Sequence, residues 1–165
     1  MLKQLVRLPL LLLLLCSNVI HAQNNAIAIS SFTVKHDLPP NMDEWRSIPG
    51  AASMVVENKT WGDRPLRLVI MLKQGDKNIC GSDGIDLDYF KTRSFQTNDL
   101  LQGLKNCESL KTGDYTLCAR FMGMGDNRQW VDVSPEVCKP FSVGGAGNQK
   151  YSGTTLISPA NNKVF

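Results

Sequence analysis

The sequence predicts an all-β fold, an immunoglobulin-like β-sandwich of about seven short strands with one short helical turn. Apolar or alternating segments recur along the chain, separated by turn residues roughly every 8–12 positions, a spacing typical of sandwiches. No long segment repeats its apolar residues with the 3.6-residue period of a helix, so alternating strands and helices are not expected. Tyr115 stands just ahead of Cys118 in an alternating segment, as at the corner of an immunoglobulin-like sandwich.

The first half of the chain contains three predicted strands. Residues 26–34 and 53–58 are rich in apolar and β-branched residues, which favour strands. Between them, the prolines of 38–40 stop strand pairing because proline has no N–H, and 42–50 is expected to be a loop or edge segment. Residues 66–72 are nearly all apolar, which predicts a central strand buried on both faces.

The middle of the chain is harder to assign. We expect a short return strand at 79–80, and 85–96 has no clear assignment. Residues 98–104 are predicted to form one or two helical turns. Thr97 or Asn98 is the expected N-cap, because its side-chain oxygen can accept a bond from a free N–H of the first turn.

Three more strands complete the predicted domain. Residues 115–122 alternate apolar and polar positions, which indicates a strand with one buried face. Val131 and Val133 are expected to form a short edge strand. Residues 137–143 are predicted to be the last strand of the domain.

Residues 1–22 have the pattern of a secretory signal peptide. Lys3 and Arg7 precede a leucine-rich run at 8–15, and a small-residue cleavage site follows. The apolar run is shorter than the about 20 residues that a transmembrane helix needs, so no stable membrane span is expected after cleavage. Two alternatives stay open, an uncleaved membrane anchor and a lipoprotein acylated at Cys16.

Cleavage would leave a sandwich domain of residues 23–143 in a nearly neutral chain. Without Lys3 and Arg7, 16 of the 18 basic residues remain against 15 acidic ones, a net charge of +1. A balance this even gives no reason to expect binding to nucleic acid or to an anionic membrane surface. The signal peptide implies export to the periplasm, the cell surface or the extracellular space, where we expect an unidentified protein or glycan partner.

Four cysteines remain after cleavage: Cys80, Cys107, Cys118 and Cys138. An even number of cysteines in an exported chain predicts two disulfides, and three pairings are possible. No two of them have the C-x-x-C spacing of a zinc ribbon or a thioredoxin-type redox site.

Strand spacing favours one of the three pairings. The corner tyrosine of antibody domains lies two residues before the cysteine, but Tyr115 lies three before Cys118, so the two side chains face opposite sides of a regular strand. Cys118 is therefore expected on the outer face, where a hairpin would bring Cys138 beside it. Closing this loop stabilises the fold by about 3 kcal/mol in the chain-entropy model. Cys80 is left to pair with Cys107.

No catalytic, cofactor or metal site is predicted, and the protein is not expected to be an enzyme. His36 is the one histidine outside the signal peptide, and no G-x-S-x-G motif accompanies it, so a nucleophile–base pair has no support. Asp83, Asp86 and Asp88 offer oxygens of the kind that calcium binds. Their spacing is not that of an EF-hand loop, so a solvated turn is the better interpretation.

Trp45, Trp61 and Trp130 lie in segments predicted to be loops. If these side chains are exposed, they are candidate ligand-binding residues that stack on sugars or peptides. If they are buried, they close the open ends of the sandwich. The first interpretation gives an alternative function, a ligand-binding domain that engages a glycan or a peptide.

Segments 110–118, 138–141 and 156–162 resemble the TANFOR-type tandem-repeat proteins, which Gram-negative bacteria export. The resemblance is carried by a Leu-Gly-Tyr-Leu-Cys pattern, a Cys-Pro-Phe pattern and a Leu-Ile-Ser-Pro-Ala-Asn-Asn run, in that order. In this family a similar β domain follows the signal peptide and precedes fibronectin type III-like repeats. Residues 144–153 are Gly-rich at their start and are expected to be a flexible linker, and 154–165 then resemble the first strand of a following module. The resemblance implies a non-catalytic structural or adhesive role at the cell envelope or surface.

Overall fold

The computed structural model describes residues 25–104, 107 and 109–144. The predicted signal peptide (1–22), the predicted linker beyond Gly144 and the predicted strand at 154–165 lie outside these residues. The described part of the chain consists mainly of β-strands, with two short helices.

Ten strands and two helices follow one another along the chain. The strands are β1 (Ile27–Val34), β2 (Asp37–Leu38), β3 (Ala52–Asn58), β4 (Leu66–Gln74), β5 (Lys77–Gly81), β6 (Ile85–Leu87), β7 (Thr92–Gln96), β8 (Gly113–Met124), β9 (Trp130–Asp132) and β10 (Val137–Val143). The helices are α1 (Met42–Trp45) and α2 (Thr97–Gln102). Seven of the strands are at least five residues long, whereas β2, β6 and β9 have only two or three residues.

The strands form two sheets. The smaller sheet has the order β1-β3-β7, and the larger has the order β2-β10-β8-β4-β5, with β6 also paired to β4 and β9 to β8. Each of the described pairings is antiparallel except that of β2 with β10. If the seven longer strands are lettered A, B, C, C′, E, F and G in chain order, ABE faces C′CFG, as in immunoglobulin-like sandwiches. The predicted fold class is confirmed.

The hydrophobic core lies between the two sheets. Strand β4 runs between β8 and β5, and its Leu68, Ile70 and Leu72 are fully buried in this core. Val69 points to the opposite side of the sheet and is still only 5% exposed. The prediction of a central strand buried on both faces is therefore confirmed.

The segment predicted to be a loop or edge at 42–50 begins instead with helix α1. The side chain of Asn41 accepts a hydrogen bond from the N–H of Asp43 at 3.0 Å, which caps the first turn. Met42 and Trp45 are buried on one side of this turn. The sequence could not reveal the helix by periodicity, because a single turn is too short to repeat.

Helix α2 is found close to its predicted position, but neither predicted N-cap is correct. The N-cap is Gln96, whose N–H donates to the carboxylate of Asp99 at 2.8 Å. Thr97 is not available as a cap because its buried hydroxyl bonds to the backbone of Ala52. It donates to the carbonyl oxygen at 2.9 Å and accepts from the N–H at 3.0 Å. The hydroxyl thus fastens the helix to the start of β3.

The ambiguous segment 85–96 contains two strands in different sheets. Strand β6 pairs with β4 in the larger sheet, and β7 pairs with β3 in the smaller one. The predicted edge strand near Val131 is β9, but it ends at Asp132. Val133 is fully buried, and its N–H donates to the carbonyl oxygen of Phe121 at 2.9 Å.

Candidate functional site on the outer faces of the sandwich

Tyr115 makes the contact that defines a tyrosine corner. Its hydroxyl donates a hydrogen bond of 2.9 Å to the carbonyl oxygen of Lys111, four residues upstream. Its ring is 4% exposed and stacks on Phe141, with ring centroids 5.8 Å apart. The residue is a structural element, as the sequence predicts.

The disulfides are the two pairs that strand spacing favours. Cys118 stands directly opposite Cys138 in the β8–β10 ladder, and the two Cα atoms are 4.0 Å apart. Cys80 of β5 is bonded to Cys107, with Cα atoms 5.9 Å apart. No described cysteine side chain is thus left as a free thiol nucleophile.

Cys118 lies on the outer face of the larger sheet. Its neighbours Leu117 and Ala119 belong to the core between the sheets, so the intervening side chain points the other way. The position is nevertheless fully buried, whereas Cys138 is exposed. The outer face of this sheet must therefore have its own cover.

That cover consists of three ion pairs. Arg67 Nε lies 2.7 Å from Asp86 Oδ1, Arg120 Nη1 lies 2.6 Å from Asp132 Oδ1, and Lys73 pairs with Glu136. We call this surface the ion-paired face. The long stems of its basic residues cover apolar surface while their charged ends stay near water, which explains the burial of Val69 beneath them.

Arg67 is the best-connected residue of the ion-paired face. Its guanidinium lies 4.2 Å from the centroid of the Trp130 ring in addition to its pairing with Asp86. The hydrogen bond between the two charged groups raises the pKa of Arg67 and lowers the pKa of Asp86. Both groups are held in their charged forms, which suits a structural pair and not proton transfer.

The three tryptophans do not form an exposed platform, and two of them are not available to a ligand. Trp45 is fully buried, and its Nε1–H donates to the carbonyl oxygen of Pro39 at 2.8 Å. Trp61 is 5% exposed and lies over Gly123 at one end of β8. Of the two interpretations that the sequence leaves open, Trp45 and Trp61 follow the second, because both rings are buried in the core of the sandwich.

Trp130 differs from the other two tryptophans. It lies on the edge strand β9, is partly exposed, and has one ring face covered by Arg67. Only this one of the predicted ligand-binding tryptophans is accessible to a partner.

His36 is far from the three aspartates. It directly precedes β2, and Asp86 lies on β6, at the other end of the row β2-β10-β8-β4-β6. Four strand spacings separate them, which amounts to about 19 Å. Asp83 and Asp88 flank β6 and lie at the same distant edge. These residues therefore cannot act together as an acid–base site.

The outer face of the smaller sheet has a different character. Nine side chains of its three strands form three outward cross-strand rows, fixed by the register of β1, β3 and β7, and the exposed bulge residue Ser30 lies beside the middle row. The rows are Thr33–Ser53–Gln96, Ser31–Val55–Ser94 and Ala28–Glu57–Thr92. We call these nine residues the hydroxyl face. Glu57 is its one charged residue.

The polar groups of the hydroxyl face partly satisfy one another. The hydroxyls of Thr33 and Ser53 are 2.8 Å apart, and Gln96 Nε2 donates to Ser94 Oγ at 3.0 Å. A polar group that already has a partner loses less free energy when water is removed from it. This surface can therefore be covered by a partner at low cost, in contrast to the ion-paired face, whose charges would be desolvated.

Sequence reasoning did not identify the hydroxyl face. Alternating Ser and Thr residues at 31 and 33 and at 92 and 94 were the available signal. They indicate outward positions on two strands, but they do not show that both strands flank β3 in one sheet.

No family model matches this chain, and no curated protein is significantly similar to it. The resemblance to TANFOR-type proteins therefore stays a prediction. Within residues 25–144, as far as they are described, no helix is long and apolar enough to cross a membrane.

Proposed function

We propose that the protein is a non-catalytic structural or adhesive module of an exported cell-envelope or surface protein. The observation that carries this proposal is the hydroxyl face, an almost uncharged surface on an otherwise charged domain. With Glu57 as its one charged residue, this face presents few charges that a partner would have to desolvate on docking.

The use of the reactive residues supports a non-catalytic role. All four cysteines outside the signal peptide form disulfides, Tyr115 closes a corner, and Arg67 and Asp86 neutralise each other. Disulfides persist in oxidising compartments, which supports the proposed export.

The partner that fits best is the sheet face of a neighbouring β-domain. Flat sheets with short side chains can approach to about 10 Å and interdigitate. Addition of a strand to the open edge of β7 is less suitable, because Arg93 occupies an inward position on that strand and lies over Phe95. Its guanidinium is 4.9 Å from the ring centroid. Inward-pointing charges are a device that protects sheet edges from further pairing.

The size of the hydroxyl face indicates a weak contact. Three strands and three rows cover about 14 Å by about 20 Å, or about 300 Å². A stable interface buries about 800 Å² on each partner, so one copy alone would bind transiently. Adhesion would then depend on many copies acting together, as in an array of modules.

The experiment compares two matched charge insertions in the full chain. Ser94→Arg places a charge in the middle row of the hydroxyl face, and Ser47→Arg places one at an exposed serine near α1. Beads densely coated with each protein are incubated with cells of the producing organism. We expect Ser94→Arg to reduce bead attachment at least about tenfold, because a long charged side chain blocks close approach of a partner and must lose its water on docking. Equal attachment of the two variants would refute the proposal.

A further inference from the structure

We propose that Cys118, Cys138 and Glu136 form a binding site for a soft divalent metal ion such as Zn²⁺ when the Cys118–Cys138 disulfide is reduced. The two sulfur atoms and a carboxylate oxygen of Glu136 lie within 4.8 Å of one another. Two thiolates and a carboxylate are ligands that zinc accepts, with water in the fourth position. This inference does not depend on the proposed adhesive function.

The spacing of the two cysteines suits a metal as well as a bond. Tetrahedral zinc with Zn–S distances of 2.3 Å requires sulfur atoms about 3.8 Å apart. The Cα atoms of Cys118 and Cys138 are 4.0 Å apart, so rotation of the two side chains after reduction can bring the sulfur atoms to this separation.

The two thiols stay opposed after reduction because the strands hold them. The β8–β10 ladder runs from Val137 opposite Ala119 to Val143 opposite Gly113, with the cysteine pair inside it. The second disulfide is different. It joins edge strand β5 to Cys107, which lies outside the strands and helices. Only the first pair is therefore held in place for a metal by regular structure.

The chemistry begins at the exposed sulfur. A thiolate of a dithiol reductant attacks Cys138 Sγ, and Cys118 Sγ leaves with the electron pair and takes a proton. The second thiol of the reductant then displaces Cys138 as a thiol, so the reductant leaves as a cyclic disulfide. Zinc binding releases the two cysteine protons, and Glu136 exchanges its contact with Lys73 for the metal.

The test separates the two cysteine pairs. The full chain carrying Cys16→Ser, Cys80→Ser and Cys107→Ser keeps only the cysteines of the proposed site, and the matched chain carrying Cys16→Ser, Cys118→Ser and Cys138→Ser keeps only the other pair. Each protein is reduced with dithiothreitol, freed of it, and titrated with Cd²⁺ while the ultraviolet charge-transfer band of cadmium thiolate is recorded.

We expect the protein that retains Cys118 and Cys138 to bind one Cd²⁺ per chain. The protein that retains Cys80 and Cys107 should bind Cd²⁺ at least about tenfold more weakly, a change of the size seen when the residues that orient metal ligands are lost. Adding Glu136→Gln to the first protein should weaken binding about tenfold as well. Equal affinity of the two proteins, or reduction of Cys118–Cys138 only in denaturant, would overturn the proposal. If Glu136→Gln leaves the affinity for Cd²⁺ unchanged, Glu136 is not a ligand and this part of the proposal is wrong.

A second measurement covers the case in which a serine variant does not fold. The reduced wild-type chain is alkylated with and without Cd²⁺, and each cysteine is quantified by mass spectrometry. We expect protection of Cys118 and Cys138 with continued alkylation of Cys80 and Cys107. Equal protection of Cys80, Cys107, Cys118 and Cys138 contradicts the proposed site.

Discussion

Replacing Tyr115 by phenylalanine should lower the free energy of unfolding by about 1–2 kcal/mol. The change removes only the hydroxyl, which donates to the carbonyl oxygen of Lys111 at 2.9 Å. The ring keeps its stacked contact with Phe141, so no cavity forms and the cost of a core truncation does not apply. What is lost is one hydrogen bond, together with part of the solvation of a carbonyl group left without this donor.

Urea denaturation followed by tryptophan fluorescence measures this loss, because Trp45 and Trp61 are buried in the folded protein. With a slope of about 2 kcal/mol per molar urea, we expect the midpoint to fall by about 0.5–1 M. Tyr89→Phe is the matched control, since it removes the same atom from a residue that is 63% exposed. If both variants unfold at the same urea concentration, the hydrogen bond does not stabilise the corner as argued.

Two further predictions concern the ends and the outer face of the larger sheet. Gly123→Ala would place its methyl group 2.1 Å from the Trp61 ring, so we expect a loss of about 1–3 kcal/mol in urea denaturation and a shifted tryptophan emission. Asp86→Asn tests the pair with Arg67, which lowers the pKa of Asp86 in the folded state. The pair should stabilise the wild type above the unfolded-state pKa of about 3.9 and lose this effect as pH falls through the lower folded-state pKa. The difference in free energy of unfolding between the wild type and Asp86→Asn should therefore be constant near neutral pH and shrink below about pH 4. A difference that stays constant at all pH values contradicts a stabilising pair between Arg67 and Asp86.

Local patterns in the sequence were sufficient to predict the fold class and the framework. The nearly unbroken apolar run of 66–72 identified the central strand because burial on both faces leaves no room for polar residues. The position of Tyr115 relative to Cys118 was enough to place the cysteine on the outer face, and Cys138 followed from the hairpin. Each of these inferences uses residues that are close in sequence or joined by one short connection.

Features that depend on distant residues could not be predicted. Trp45 is buried because a single helical turn, capped by Asn41, directs it against Phe141 with ring centroids 5.2 Å apart. The hydroxyl face requires the registers of both β1 and β7 on β3, which the sequence does not contain. The same holds for the pairing of Arg67 with Asp86, whose strands meet only in the folded sheet.

The parallel pairing of β2 with β10 has a mechanical consequence. Strand β10 lies at the end of the described domain and β2 follows β1 near its start, so tension that reaches both strands loads the bonds between them in shear, all at once and not one after another. The disulfides then limit how far the chain can lengthen. The bonded cysteines are 20 and 27 positions apart in sequence, which corresponds to about 70 Å and 90 Å of extended chain that tension alone cannot release. An oxidised domain under load would therefore behave as a short tether, and reduction would lengthen it.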